Sequence, residues 1–311
     1  MRAFVTGGAG FIGSHLVDKL LKDGHEVTIY DNLSTGYKNN LKEALENPYC
    51  RFIEGDILDL SSLIIAMKDC TFVFHLAANA DVRHGLKHPK KDLEQNTIGT
   101  FNVLEAMRIN KVSHIAFTST GSIYGEAKKI PTPENYQFPI QTSLYGASKL
   151  AGEGLIQAYC EGYGFKSYIF RLVSVLGERY SHGHVFDFVK RLSESPNHLN
   201  IFGNGYQKKS YIYVKDLIDA FVFVINDSKE VVNIYNVGAD EYCTVRDSLQ
   251  WITKELKVRP KVIFSDHDRG WIGDNPFIFL DTKKIRNLGW KSKLTIKQAV
   301  IKTVKYLKDN Q

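Results

Sequence analysis

The chain has 311 residues, of which 43% are hydrophobic and 24% charged, with a formal net charge of +6. That composition is globular, with length for one large core or two unequal lobes, and it excludes a disordered or fibrous chain. The basic residues are scattered, which points away from nucleic acid and toward solubility or a small anionic substrate; no apolar run approaches the roughly 18 residues of a membrane span. Met1-Arg2 leads directly into strand-like sequence without a signal segment. Cys50, Cys70, Cys160 and Cys243 lie far apart and form no metal spacing, so reduced thiols in a cytoplasmic protein are expected. His182 and His184 are close but lack further ligands, and no metal is expected.

Residues 3–6 read as a short buried strand, followed by TGGAGFIGSHLVDKLLKDGHEV. Gly8, Gly10 and Gly13 satisfy GxGxxG, and Gly7, Gly10 and Gly13 satisfy GxxGxxG; the second spacing is preferred. Glycines here permit a tight turn and let a pyrophosphate approach the backbone where a helix begins. Leu16, Leu20 and Leu21 give that helix an apolar face, and Gly24 ends it. Residues 27–30 form the next strand, closed by Asp31, eighteen residues after Gly13. An acid in that place can bind the adenosine ribose hydroxyls and repels a 2′-phosphate, so NAD is expected rather than NADP. A glycine turn alone could be only a turn; strand, turn, helix, strand and acid in this order specify a dinucleotide site.

Strands are expected over 51–53 and 71–75, with a helix over 61–67. Asp56 is a candidate adenine neighbour or a plain helix cap. The small residues of HLAA (75–78) would let a cofactor lie close. A long helix over 93–110 carries Asn96 and Gly99. A strand over 113–118 leads to Thr120. A helix over 142–160, capped by Thr142 or Ser143, carries Tyr145 and Lys149, and a strand over 167–171 follows. This alternation calls for an α/β fold, a Rossmann-like doubly wound parallel sheet with helices on both faces. Past residue 173 the rhythm breaks into strands over 200–202, 211–214, 232–236 and 261–264 and helices over 216–226, 245–256 and 294–307. Residues 1–173 are therefore expected to form an NAD-binding domain. Residues 174–311 are expected to form mainly a smaller, discontinuous mixed α/β substrate lobe, with a ligand between the two at the strands' carboxyl ends.

Tyr145 and Lys149 share a helix face, being four residues apart, and Thr120 lies where a strand end can meet the tyrosine. A phenol with a pKa of about 10 is a poor base at neutrality. The charge of Lys149, and that of a nicotinamide ring, would lower it. Tyr145 could then take a proton from an alcohol as hydride leaves the same carbon, with Thr120 sharing the hydroxyl proton.

With TGGAGFIGSH (6–15), DNLSTG (31–36), GDI (55–57), HLAA (75–78), QNTIGT (95–100), STGSIYG (119–125) and YGASK (145–149), the chain resembles an extended short-chain dehydrogenase/reductase. Within that group it is similar to nucleotide-sugar epimerases of the UDP-glucose 4-epimerase type, through IFGNG (201–205), KSYIYVKD (209–216), NVG (236–238), GD (273–274) and LGW (288–290) as well. The resemblance spans nearly the whole length. It implies that Thr120, Tyr145 and Lys149 are catalytic. It also implies that Gly7, Gly10, Phe11, Ile12 and Gly13 hold the pyrophosphate, Asp31, Asn32, Ser34 and Gly36 the ribose, and Asp56 and Ile57 the adenine. Leu76, Ala77, Ala78 and Asn96 would line the cofactor. NAD would stay bound while the sugar C4 is oxidised to a ketone, turns over and is reduced from its other face.

Some positions depart from relatives of this type. Lys209 stands where an arginine meets the substrate pyrophosphate, giving a point charge without a fork, and Arg269 is a candidate to share that work or a solvated surface residue. Ser174 replaces an asparagine, and Ile278 falls where a side chain of variable size lines the hexose pocket, or is a core isoleucine. Gly121 and Ser122 follow Thr120 where dehydratases and decarboxylases carry acids. The sequence therefore points to a UDP-glucose/UDP-galactose 4-epimerase, cytoplasmic and homodimeric through helices over 93–110 and 143–160. The alternatives are an epimerase of UDP-glucuronate or an N-acetylhexosamine, a 4-dehydrogenase or 4-keto reductase, and, last, a non-catalytic NAD-binding regulator.

Overall fold

The computed structural model describes residues 1–79, 87–137, 139–265 and 277–310. Arg2–Thr6 (β1), Glu26–Asp31 (β2), Cys50–Glu54 (β3), Phe72–His75 (β4), His114–Thr120 (β5), Lys166–Leu172 (β6) and Val232–Val237 (β7) form the central parallel sheet. Its order is β7-β6-β5-β4-β1-β2-β3. Runs such as AFVT, FVFH and IAFTS are buried along their length, as expected of strands covered on both faces. Strand order reverses beside β1, which pairs with β2 on one side and β4 on the other, and ligands of such sheets bind at that switch point. Thr6 lies opposite both Tyr30 and His75, and His75 opposite Phe117, so the turns after β1, β2, β4 and β5 leave the sheet at one edge.

The helices here are Phe11–Lys22 (α1), Leu60–Ala66 (α2), Gly99–Asn110 (α3) and Leu144–Tyr163 (α4). Leu63, Val103, Met107 and Ile156 pack with Phe4 and Phe117 of the sheet into one apolar core. Ser143 starts α4 by accepting a hydrogen bond from the Gly146 amide at 3.0 Å, and Gly164 ends it in the left-handed conformation. The helix expected over 93–110 is not uniform: Leu93–Ile98 is a π-helical segment leading into α3. The Thr100 hydroxyl donates to the Asn96 carbonyl at 2.7 Å, taking up an acceptor the regular ladder would use.

Two compact units divide the chain. The first comprises Met1–Ile123, Ser143–Arg171 and Phe221–Tyr235, and the second Tyr124–Thr142, Leu172–Ala220 and Asn236–Gln311. One strand expected with the smaller lobe is instead β7 of the main sheet. Ile234 packs on the main core, and the Ser167 amide bonds the Val231 carbonyl at 2.9 Å. In the second unit, Ser174–Leu176 pairs with Tyr211–Tyr213 and His198–Ile201 with Lys261–Phe264, both in parallel. Lys208–Lys209 pairs antiparallel with Cys243–Thr244. Helices His184–Glu194 (α5), Val214–Asp227 (α6), Val245–Leu256 (α7) and Ile296–Asp309 (α8) complete the set used below. α5 was not expected, although Val185, Phe188, Val189 and Leu192 are spaced for one buried face. α7 and α8 both open with capping boxes, Thr244 with Asp247 and Thr295 with Gln298.

Candidate active site

The turn after β1 is built on glycine because side chains do not fit there. Gly7 has φ +71°, and a Cβ on it would lie 2.6 Å from the Ala77 amide nitrogen. A Cβ on Gly13 would lie 2.1 Å from the Gly7 carbonyl oxygen. Gly10 caps α1 in extended conformation with no side-chain cap bond, and the first turn, with Phe11, Ile12 and Gly13, carries no acid. Amides at a helix start favour a phosphate group, so this cradle fits the pyrophosphate of NAD.

Asp31 ends β2 and is buried, with one carboxylate oxygen accepting from the Ala9 amide (2.9 Å) and the other from Leu33 (2.8 Å). Burial raises its pKa, against the Leu33 and Ala9 hydrogen bonds that lower it. A carboxylate has about four acceptor positions, leaving room for ribose hydroxyls. Asn32 bonds Asp56 at 2.9 Å and receives both the amide (3.0 Å) and hydroxyl (2.7 Å) of Ser34. Gly36 presses on Ala9 and Asp31, where a Cβ would meet both at 3.0 Å. Asp56 does not cap α2; Asp59 does, through the Ser62 amide. The Asp56 carboxylate accepts instead from the Leu58 amide at 2.9 Å. The Ile57 side chain belongs to the core, so a base could meet only its backbone.

Leu76, Ala77 and Ala78 follow β4 and are half-buried, with Leu76 bonded to the Thr6 carbonyl at 3.1 Å. Asn96 is fully buried in the π-helical segment. Its oxygen accepts from the Asn79 amide at 2.8 Å, and its nitrogen donates to Ser148 on α4 at 3.0 Å.

Thr120, Tyr145 and Lys149 come together between the end of β5 and the start of α4. The Tyr145 side chain faces that of Thr120, whose hydroxyl favours the phenolate. The Thr120 hydroxyl also donates to Ser122 at 3.2 Å and accepts from the Ser122 amide at 3.1 Å. Lys149 is 2% exposed; its Nζ donates to the Thr118 carbonyl at 2.9 Å and lies 4.5 Å from the Phe117 ring centroid. Burial, then the Asp92 charge, pushes Tyr145 up to about 12 against the Thr120 hydroxyl. The depressed phenol expected from Lys149 is thus not found. Burial penalises the phenolate, and it also brings Lys149 down to about 7 despite Glu153.

Several participants in this arrangement are not apparent from motifs. His75 is buried, with Nδ1 2.7 Å from the Thr6 hydroxyl and Nε2 2.9 Å from that of Thr100. Thr100 already donates to Asn96, so Nε2 carries the proton and Nδ1 accepts from Thr6. Burial and the Lys149 charge push His75 down to about 3. Asp92 is buried and accepts from the Asn79 side chain at 2.8 Å. Glu153, one turn beyond Lys149, takes the Ser119 hydroxyl and a forked contact from Arg171, whose Nη2 lies 2.7 Å away. A buried His or Asp in a strand–helix unit reads as ordinary core until the tertiary partners are known; Glu153 at Lys149 + 4 was the available signal.

Of the substrate candidates, Ser174 and Lys209 lie in the second unit. Ser174 is exposed, opposite Tyr211, and Lys209 is half-buried in its strand. Lys209 adds to burial in pushing His184 down to about 3, and His184 is bonded to Tyr211 (2.6 Å) and Ser248 (3.0 Å). Arg269 lies outside the described residues, and Ile278 is half-buried. Among the described residues no three His, Cys, Asp or Glu side chains are grouped to hold a metal ion.

A protein of Methanocaldococcus jannaschii, provisionally named UDP-glucose 4-epimerase, is 37% identical over 313 residues, covering 98% of each chain. The crystal structure of the UDP-glucose 4-epimerase of Thermotoga maritima with UDP-glucose is 31% identical, with a TM-score of 0.91, covering 100% of this chain and 99% of its own. That of the UDP-glucuronic acid 4-epimerase of Bacillus cereus with UDP-glucuronic acid and NAD is 28% identical, with a TM-score of 0.92 and complete coverage of both chains. Residues 3–238 match the NAD dependent epimerase/dehydratase family, and the chain belongs to that family, with NAD as its cofactor.

Proposed function

We propose that the protein is a nucleotide-sugar 4-epimerase interconverting UDP-glucose and UDP-galactose. The observation that carries this reading is Tyr145 facing Thr120, with a buried Lys149 one helical turn on and Gly121 and Ser122 next in the chain. Elimination of water or loss of carboxylate would call for a further acid or base beside Thr120, and neither residue supplies one. NAD, when bound, supplies reversible two-electron oxidation at the hydroxyl-bearing carbon and, in its oxidised form, a positive charge. The turn at Gly7, Gly10 and Gly13 would hold its pyrophosphate, with Phe11 and Ile12 opening the helix, and Asp31 its ribose. Thr120 holds the substrate hydroxyl in line with Tyr145, which takes the proton as a base and gives it back as an acid. The Lys149 charge favours the phenolate. Ser174 and Lys209 are assigned to the nucleotide sugar, Lys209 as a point charge.

A homodimer is part of the proposal. Ile98, Phe101 and Ile109 are 42–46% exposed along the helical run into α3, and Ala151, Gly154 and Ala158 lie exposed on α4. Apolar and small residues on two neighbouring helices suit close packing with a second copy. A cytoplasmic location is supported by four free thiols, two of them buried.

Purified protein should convert UDP-galactose to UDP-glucose without added NAD and without net change in absorbance at 340 nm. Stoichiometric NADH formation without an epimer would make it a dehydrogenase. Preferential turnover of UDP-glucuronate would move the substrate to the uronic acid that the Bacillus cereus structure binds.

A further inference from the structure

Three consecutive residues of β5 each engage one of three residues on a single face of α4. Thr120 meets Tyr145, the Thr118 carbonyl takes Lys149, and the Ser119 hydroxyl donates to Glu153. Residues 145, 149 and 153 are spaced to share that face. Glu153 is the innermost, with its side chain 0% exposed. Its two carboxylate oxygens receive Nε of Arg171 at 3.1 and 3.2 Å, and Nη2 reaches one of them at 2.7 Å. A buried charge of this kind is costly unless paired and hydrogen-bonded, and this one is both. Arg171 comes from β6, so the carboxylate ties α4 to two neighbouring strands.

Resting on the epimerase reading above, we propose that Glu153, fixed by Ser119 and Arg171, is the positioning residue that holds this face of α4 so that Lys149 stays seated on Thr118 beside Tyr145. The neighbours of Lys149 leave Glu153 as the group that can do this. On β5 it meets the neutral Phe117 ring and the Thr118 carbonyl. From β4 the nearby titratable group is His75, held neutral by burial. From α4 come Tyr145 and Glu153, from β6 Arg171, whose charge is turned to Glu153, and from the helical run packed on α4 Asp92, which acts on Tyr145 and is bonded to Asn79. Burial opposes the Lys149 charge, and Glu153 is the group that favours it.

The test is Glu153→Gln, which keeps shape and the Ser119 contact but removes the charge. The holoenzyme should fold and retain NAD, and the alkaline limb of its kcat profile should move down by about one pH unit. The Lys149 side chain, followed by NMR with labelled lysine, should titrate lower by the same amount. A purely packing role would lower activity equally at all pH values and leave that titration in place, which would overturn the inference. Should Glu153→Gln not fold, Ser119→Ala carries the test. The carboxylate then loses one of its two anchors, so the Lys149 titration should fall by part of the Glu153→Gln shift, and an unchanged titration overturns the inference. The NMR titration needs no substrate, so it decides the role of Glu153 even if the protein epimerises nothing. A Glu153→Gln enzyme with unchanged titration and normal epimerisation would reject Glu153 and leave the epimerase standing.

Discussion

Tyr145 and Lys149 are both shifted away from the charged forms their chemistry needs, to about 12 and about 7. Burial is the first cause for each. Tyr145→Phe should keep NAD bound and lower kcat at least about a hundredfold, the low end of what a positioned base contributes. Steady-state kinetics alongside quantitation of released NAD checks both halves, and near-full activity would remove Tyr145 from the chemistry. At this scale the Thr120, Tyr145 and Lys149 set was legible because helical spacing fixes which side chains share a face. Asp31 was legible because it ends a strand after a glycine turn. His75, Asp92 and Arg171 were not, since each draws its meaning from a partner at least 13 residues away, such as Thr6, Asn79 or Glu153.

The glycine turn shows how an element can be specified by what it leaves out. Gly13→Ala would place a methyl 2.1 Å from the Gly7 carbonyl oxygen, which is backbone and cannot swing aside. The turn must open, and the variant should emerge from purification with little or no NAD while far-UV circular dichroism stays near that of the parent. Full NAD occupancy in the variant would show that the turn tolerates the shift. Element boundaries were mostly legible: α7 spans the expected 245–256, and α4 is capped by Ser143, one of the two caps expected. The π-helical segment was not, because Leu93–Ile98 has an ordinary helical composition and the Asn96 carbonyl is claimed by a hydroxyl four residues on.

Across the molecule, two histidines, His75 fully buried and His184 half-buried, set how the fold meets acid. His75 and His184 are each pushed from 6.5 to about 3. Their folded pKa values are depressed, so the unfolded chain binds more protons between those limits. Stability is therefore full above about 6.5 and declines as pH falls toward 3, by about 1.4 kcal/mol per pH unit for each histidine. His25 and His114 are shifted the same way, while the raised carboxyls of Asp31 and Glu134 act in the opposite sense but nearer their own lower range. Thermal unfolding between pH 7 and 5 should therefore show a falling midpoint, and a flat one would mean these rings are protonated when folded. The α/β class was legible from the strand–helix alternation. The place of Val232–Val237 was not, since a strand's sequence does not name the sheet it joins.

The π-helical segment also acts as a phase shift. The run from Pro89 to Asn110 carries a wider turn at Leu93–Ile98, so the residues before it are out of step with α3. Deleting Glu94 would let the run close into regular α-helix and rotate Asp92 by about 100° relative to Asn96. Helical circular dichroism should hold or rise while Asp92 loses Asn79 and turnover falls. A chain improved by the local rules of helix formation would then be the poorer enzyme.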